Sequence, residues 1–286
     1  MKMKLYAASL LAILLTTSAQ SQVITGAGAT FPYPIYSKWM LEYKKQTGVA
    51  INYQSIGSGG GIRQVIAKTV SFGATDAPLS DKELQDNQLT QFPTVIGAVV
   101  PIVNLPRSEN GISLTEQQLV SIYTGEIKDW NDSRLSSAFS GSSAPNLPIV
   151  VVYRADASGT TYIWTNYLSS VSPMWKLAIG TATSVQWPTG IGAKGNEGVA
   201  GFVGQTSGSI GYVEFTFAKQ TKTPIARLNG ITADLKSFTL KSWPITAPTY
   251  ILVPKVSKDR QVVLDFFEWA KKNGSEMARE LDYIPL

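Results

Sequence analysis

The chain predicts an α/β fold, on three observations. Apolar, strand-like runs recur along it, helical patterns lie between them, and glycine-rich or polar turns follow several of the runs. Some runs are apolar almost throughout, as in strands buried on both faces of a parallel sheet. At 286 residues the chain can bury a large core, as one large domain or two smaller ones.

The expected strands are "VIT" at 23–25, "VAINYQSI" at 49–56, "PTVIGAVVPIVNL" at 93–105, "PIVVVYR" at 148–154, "SIGYVEF" at 209–215 and "YILVP" at 250–254. Ile35, Trp39, Met40 and Tyr43 share one face of a first helix, with Gly48 as its stop. Ile62, Val65, Ile66 and Val70 repeat the pattern after a glycine cluster, and Ile163, Trp164, Tyr167 and Leu168 repeat it after "RADASGTT". Ser113 and Glu116 suggest a capping box ahead of Leu119, Ile122 and Tyr123. Val262, Val263, Phe266, Phe267 and Ala270 form a late helix closed by "KKNG". The stretch 136–148 reads as a surface connection, and there is no internal repeat.

Lys2 and Lys4, the apolar run "LYAASLLAILL" and the small polar stretch "TTSAQSQ" have the layout of a secretory signal peptide, with cleavage expected after Ala19. That run is shorter than the roughly 20 residues a membrane-spanning helix needs. The chain has 25 basic and 20 acidic residues; without Lys2 and Lys4 the balance is 23 to 20, or +3. So mild a charge, with no basic stripe among aromatics, argues against nucleic-acid binding. With no Cys there is no disulfide, and with no His a Ser-His-Asp triad or a zinc site built on His or Cys is impossible. No metal or other cofactor is expected.

Four turns at or near strand ends carry the chemistry, where ligands bind in open α/β sheets. "GAGATF" at 26–31 lets backbone approach a ligand and offers the Thr30 hydroxyl and the Phe31 N–H, or is a tight loop. "GSGGGIRQVIA" sets Ser58 and three glycines at a helix start, an anion site or an N-cap. "FGATDAPLS" holds Asp76 in an apolar context, a buried carboxylate or a turn aspartate bonded to its own backbone. "RADASGTT" joins Arg154, the natural partner of a tetrahedral oxyanion, to Asp156, Ser158, the bare N–H of Gly159, and Thr160. The alternative there is a structural ion pair beside a cap. A nucleophilic serine would lack its base.

These four segments, in this order, resemble the phosphate-site segments of the periplasmic phosphate-binding proteins of high-affinity phosphate ABC transporters. "IYTGEIKDWND", "WPTGIGAKGNEGVAGFV", "GSIGYVEF" and "WPITAPTYIL" extend the resemblance from about Val23 to Tyr283. It implies a type II fold of two α/β lobes joined by crossing strands and closing over the anion. The implied division is 20–98 with 247–286 for the first lobe and 99–246 for the second. "PTVIGAVVPIVN" and "PITAPTYILV" are the candidate crossing segments. Thr30, Phe31, Ser58, Asp76, Arg154, Asp156, Ser158, Gly159 and Thr160 are implied to ring one inorganic phosphate. The implied protein is a periplasmic monomer that delivers phosphate to an inner-membrane permease and is not an enzyme. The chain departs from the family at Gly59, where many members have Ser, and at Ala157, where Gly is usual; it also stops at "LDYIPL", where many members continue into another helical segment.

On this reading Asp76 is an ionised carboxylate that can only accept, so it takes the proton phosphate still carries near neutral pH and rejects sulfate, which has none. The alternatives are a binding protein for another oxyanion, such as sulfate, molybdate or arsenate, and an exported phosphatase acting through Ser158 or Asp156.

Overall fold

Strand and helix alternate along the chain as the periodicity predicts. The computed structural model describes residues 24–106, 111–139 and 143–286, so the expected export signal lies outside the described residues. The first elements are β1 (Ile24–Gly28), α1 (Tyr33–Thr47), β2 (Ile51–Ser55), α2 (Ser58–Ile66), β3 (Phe72–Thr75), α3 (Asp81–Asp86) and β4 (Leu89–Val103). Next come β5 (Ser113–Leu114), α4 (Glu116–Tyr123), a 3₁₀ turn (Ser133–Phe139), β6 (Val150–Arg154), α5 (Gly159–Val171) and α6 (Pro173–Ala178). β7 (Ile191–Ala193), α7 (Gly195–Gln205), β8 (Ser209–Glu214), α8 (Phe215–Thr221), β9 (Arg227–Leu228) and α9 (Leu235–Thr239) follow. The chain closes with β10 (Thr246–Pro254), α10 (Arg260–Asn273), α11 (Ser275–Glu280) and β11 (Ile284–Pro285).

The strands lie in the order β2-β1-β3-β10-β4-β8-β6-β7, with β11 also on β4 and a separate β5–β9 pair. β1 is parallel to β2 and β3, and β6 is parallel to β7 and β8. β4 and β10 run antiparallel between these two parallel groups. β4 pairs with β10 as far as Ala98, opposite Thr246, and with β8 from Val99, opposite Glu214. A single long strand thus changes partners at one residue step, and the two α/β halves meet there.

α1 ends as expected: Gly48 adopts φ 77° and donates its N–H to Lys44 O at 2.9 Å. α10 ends at Asn273, before Gly274, whose carbonyl accepts from Trp39 Nε1 at 3.1 Å and ties the last long helix to the first. Aromatic residues cluster in each half, within a core that is continuous through both. Tyr36, Phe72 and Phe267 pack together in one, and Trp164 stacks on Tyr212 with ring centroids 5.0 Å apart in the other.

Several elements differ from the expectation. β3 stands where only a turn was read, because four residues rich in small side chains and buried on both faces show no periodicity. The capping box ahead of α4 is Thr115 with Gln118, while Ser113 belongs to β5. α2 stops at Ile66, leaving Val70 buried beyond it, and β4 starts earlier, at Leu89. The 3₁₀ turn runs into the stretch expected as a surface connection and buries Ala138 and Phe139 there.

Candidate anion-binding site

Each of the four turns follows a parallel strand at its C-terminal end. Thr30 and Phe31 lie between β1 and α1, Ser58 opens α2 beyond β2, Asp76 directly follows β3, and Arg154 closes β6 ahead of α5. The nine expected residues form one neighbourhood although they come from both halves.

Arg154 is 3% exposed and sits in a bidentate pair with Asp156: Nε donates to Oδ1 at 2.8 Å and Nη2 to Oδ2 at 2.6 Å. Gly195 N adds a hydrogen bond to Asp156 Oδ1 at 3.1 Å. Burial pushes the Asp156 carboxyl up, but its bonds to Arg154 and Gly195 outweigh that and hold it below the usual range. The backbone of Arg154 is fixed in turn by Tyr212, whose hydroxyl accepts Arg154 N at 3.1 Å and bonds Thr161 Oγ1 at 2.6 Å. Arg154 Nη1 reaches Thr160 Oγ1 at 3.3 Å, so part of its donor fork faces the site.

Ser158 is the N-cap of α5, accepting Thr161 N at 3.1 Å. Ser58 is not a cap: the N-cap of α2 is Gly57, and Ser58 Oγ instead accepts Asp76 N at 3.3 Å and Gly159 N at 3.0 Å. The Gly159 N–H is therefore engaged by the opposite half rather than bare, because the halves approach this closely. Phe31 is fully buried, its carbonyl held by Tyr283 OH at 2.7 Å.

Asp76 is 2% exposed. Oδ1 accepts Thr249 Oγ1, on β10, at 2.7 Å, and Oδ2 accepts nothing from any described residue. Desolvation raises this carboxyl to about 7, with the Thr249 bond and the Arg154 charge pulling the other way. Desolvation thus works against the fully ionised Asp76 of the sequence reading, and among the described residues no cation is in contact with it to offset its burial.

The glycine cluster has a packing role as well. Gly61 lies against the backbone of Ala27 and Gly28, and Gly60 against Ile56. Gly59 faces the other half, donating its N–H to Ala157 O at 3.0 Å, and a Cβ there would sit 2.5 Å from the Ala157 methyl. Gly59 and Ala157, two of the expected departures from the family pattern, are therefore opposite each other, and the methyl at 157 occupies the room a side chain at 59 would need. Ala157 is not among the positive-φ residues, so its methyl is unstrained.

Sequence reasoning missed Asn196, Tyr212, Thr249 and Tyr283. Asn196 lies in "KGNEG" and Thr249 in "WPITAPTYIL", segments that carried the resemblance without a role attached to any residue. Among the described residues no group of His, Cys, Asp and Glu could hold a metal ion, and no helix is long and apolar enough to cross a membrane.

Two α/β halves joined by long antiparallel strands, with a guanidinium, hydroxyls and helix N-termini meeting where they touch, define a two-lobed binding protein for a small oxyanion. A family model described as the PBP superfamily domain matches residues 15–271. Phosphate-binding protein PstS of Pasteurella multocida (strain Pm70) is 46% identical, covering 98% of this chain and 91% of that protein. Its Haemophilus influenzae counterpart is also 46% identical, over 94% of this chain and 90% of that protein. The chain belongs to the PBP superfamily and, within it, to the phosphate-binding protein PstS family. A phosphate-binding protein from Stenotrophomonas maltophilia has the same fold at a TM-score of 0.70 and 22% identity, over 93% of this chain and 91% of that one. An ABC-type phosphate transport receptor from Vibrio cholerae superposes at 0.65 and 20% identity, over 92% of this chain and all of that one.

Proposed function

We propose that this protein is exported, binds inorganic phosphate between its lobes and delivers it to an ABC-type permease as a periplasmic monomer that turns nothing over. The observation that carries the reading is Asp76 Oδ2, a buried acceptor without a partner among the described residues, against Gly159 and within the field of Arg154 of the opposite half. A site of donors alone would take any oxyanion. One carboxylate acceptor among donors calls for an anion that still carries one proton, which phosphate does and sulfate does not.

Thr30, Phe31, Ser58, Asp76, Arg154, Asp156, Ser158, Gly159 and Thr160 are the proposed ring. Arg154 supplies the full positive charge, Asp156 holds its fork rigid, and the N-termini of α2 and α5 supply partial charge. The proposed lobes are 20–98 with 247–286, and 99–246. The change of strand partners at Ala98 and Val99 supports that division, because the chain crosses there. A ligand touching both lobes favours the closed arrangement, which the permease would then meet. Arsenate, which also carries a proton, satisfies the same acceptor and is the second ligand this geometry admits.

Calorimetric titration of phosphate-stripped protein with phosphate, then with sulfate, tests the reading. Tight one-to-one phosphate binding undisturbed by excess sulfate is expected. Absence of phosphate binding would overturn it, and equal binding of sulfate would remove the role given to Asp76.

A further inference from the structure

Asn196 is fully buried near the start of α7 and touches both proposed threonine ligands. A hydroxyl has one proton and two lone pairs to offer. Thr30 Oγ1 receives Asn196 N at 3.3 Å and Asn196 Nδ2 at 2.7 Å. Thr160 Oγ1 receives Arg154 Nη1 at 3.3 Å and Asn196 Nδ2 at 3.3 Å. A backbone amide and a guanidinium can only donate. The side-chain amide is the one group that could face either way, and Glu214 N settles it by donating to Asn196 Oδ1 at 3.0 Å. Both amide hydrogens of Asn196 therefore point at the threonines, and both lone pairs of each hydroxyl are filled.

We propose that Asn196 is a positioning residue that makes the Thr30 and Thr160 hydroxyls one-way donors and so sets which protonation state of the ligand the site takes. The inference rests on the phosphate reading above and deepens it. A hydroxyl left to itself would adapt, accepting from a protonated ligand oxygen or donating to a bare one, and two such groups would blunt any preference. With their lone pairs filled, the two threonines offer protons only, so the ligand oxygens they meet must be bare. The ligand's proton is left to Asp76 Oδ2, and a ligand with two protons has one too many. Asn196 thereby acts on selectivity without having to touch the anion, and it links Thr30 of one half to Thr160 of the other.

The test uses Asn196→Asp and Asn196→Ser in the mature protein, titrated with phosphate at acidic and alkaline pH and checked for folding by circular dichroism. The carboxylate of Asn196→Asp can still accept from Glu214 N but would draw in the threonine protons and turn the lone pairs toward the ligand. Phosphate affinity is expected to fall about 100-fold at alkaline pH, roughly tenfold for each reversed hydroxyl, and to recover as the ligand gains its second proton. Asn196→Ser adds no charge and frees both hydroxyls to adapt. It should bind about tenfold more weakly than the parent, with a flatter dependence on pH. Parent-like affinity and pH profile in Asn196→Asp, or in Asn196→Ser should the first variant fail to fold, would overturn the inference. A parent protein that binds no phosphate would instead overturn the reading of the site on which it rests.

Discussion

Gly159 donates its backbone N–H to Ser58 Oγ at 3.0 Å, across 101 residues of chain and across the contact between the halves. A Cβ on Gly159 would lie 2.5 Å from Asp76 Cβ and 2.6 Å from Ser58 Oγ, so the closed arrangement has no room for one. Gly159→Ala is therefore expected to hold the lobes apart while each still folds. Small-angle scattering should give the same radius of gyration with and without phosphate, and phosphate affinity should fall at least about tenfold. A variant that still contracts on phosphate addition would contradict the wedge.

Asp76→Asn keeps the size of the side chain but presents an N–H where only an acceptor served. Phosphate should bind more weakly and sulfate more tightly, so that a discrimination on the order of ten-thousand-fold collapses by at least about a hundredfold. The parent itself should show a milder form of this with pH. Asp76 is raised to about 7, so in the proposed role it would exclude sulfate as an ionised acceptor above that value, and below it a growing fraction would donate to sulfate. Sulfate competition measured on either side of neutrality should strengthen as pH falls; competition independent of pH would show that Asp76 does not face the anion.

Arg154→Ala removes the counter-charge and strips Asp156 of its bidentate partner. Affinity for every oxyanion should drop by about 100-fold or more, and because the partly buried Asp156 loses both bonds the fold should lose about 1–3 kcal/mol. Calorimetry and thermal melting separate the two effects. Unchanged phosphate affinity would take Arg154 out of the site.

Gly59 and Ala157 form a matched pair across the contact, with room for one methyl between them. Gly59→Ser alone should weaken phosphate binding several-fold by resisting closure, and adding Ala157→Gly should restore it. A double-mutant cycle with no coupling would mean that the two positions do not meet in the bound state.

Buried carboxyls should also give the ligand-free protein an unusual pH dependence. Burial raises Glu214 to about 8, against hydrogen bonds from Thr216 N and Oγ1, and raises Asp76 to about 7. Both folded values lie above the unfolded carboxylate range of about 4, so the fold holds extra protons between about pH 4 and 8 and loses stability as pH rises through that window. The melting temperature should fall from mildly acidic to mildly alkaline solution. Glu214→Gln, which mimics the protonated form, should flatten that fall and melt higher on the alkaline side. A melting temperature that climbs with pH in the parent would refute this assignment.

Much of the architecture was legible along the chain because it depends on neighbours in sequence. The strand ending at Arg154, the cap at Ser158 and the stop at Gly48 are each specified within a few residues, by apolar runs, a side-chain oxygen and a left-handed glycine. The pairing of Arg154 with Asp156 is equally local, two residues apart at a strand end. The absence of His and Cys excluded whole classes of catalysis before any fold was considered. Other features arise from segments that meet only when the sheet closes. β3 carries almost no pattern of its own and is a strand because β1 and β10 flank it. Asp76 is raised because folding buries it without a cation in contact, and Ser58 is bonded by Gly159 because the halves come that close. Asn196 can direct two hydroxyls only because a turn after β1 and the first turn of α5 both arrive beside α7. Periodicity and capping are short-range, so they can be read from neighbouring residues; desolvation and hydrogen-bond direction are properties of a surrounding volume that distant parts of the chain fill.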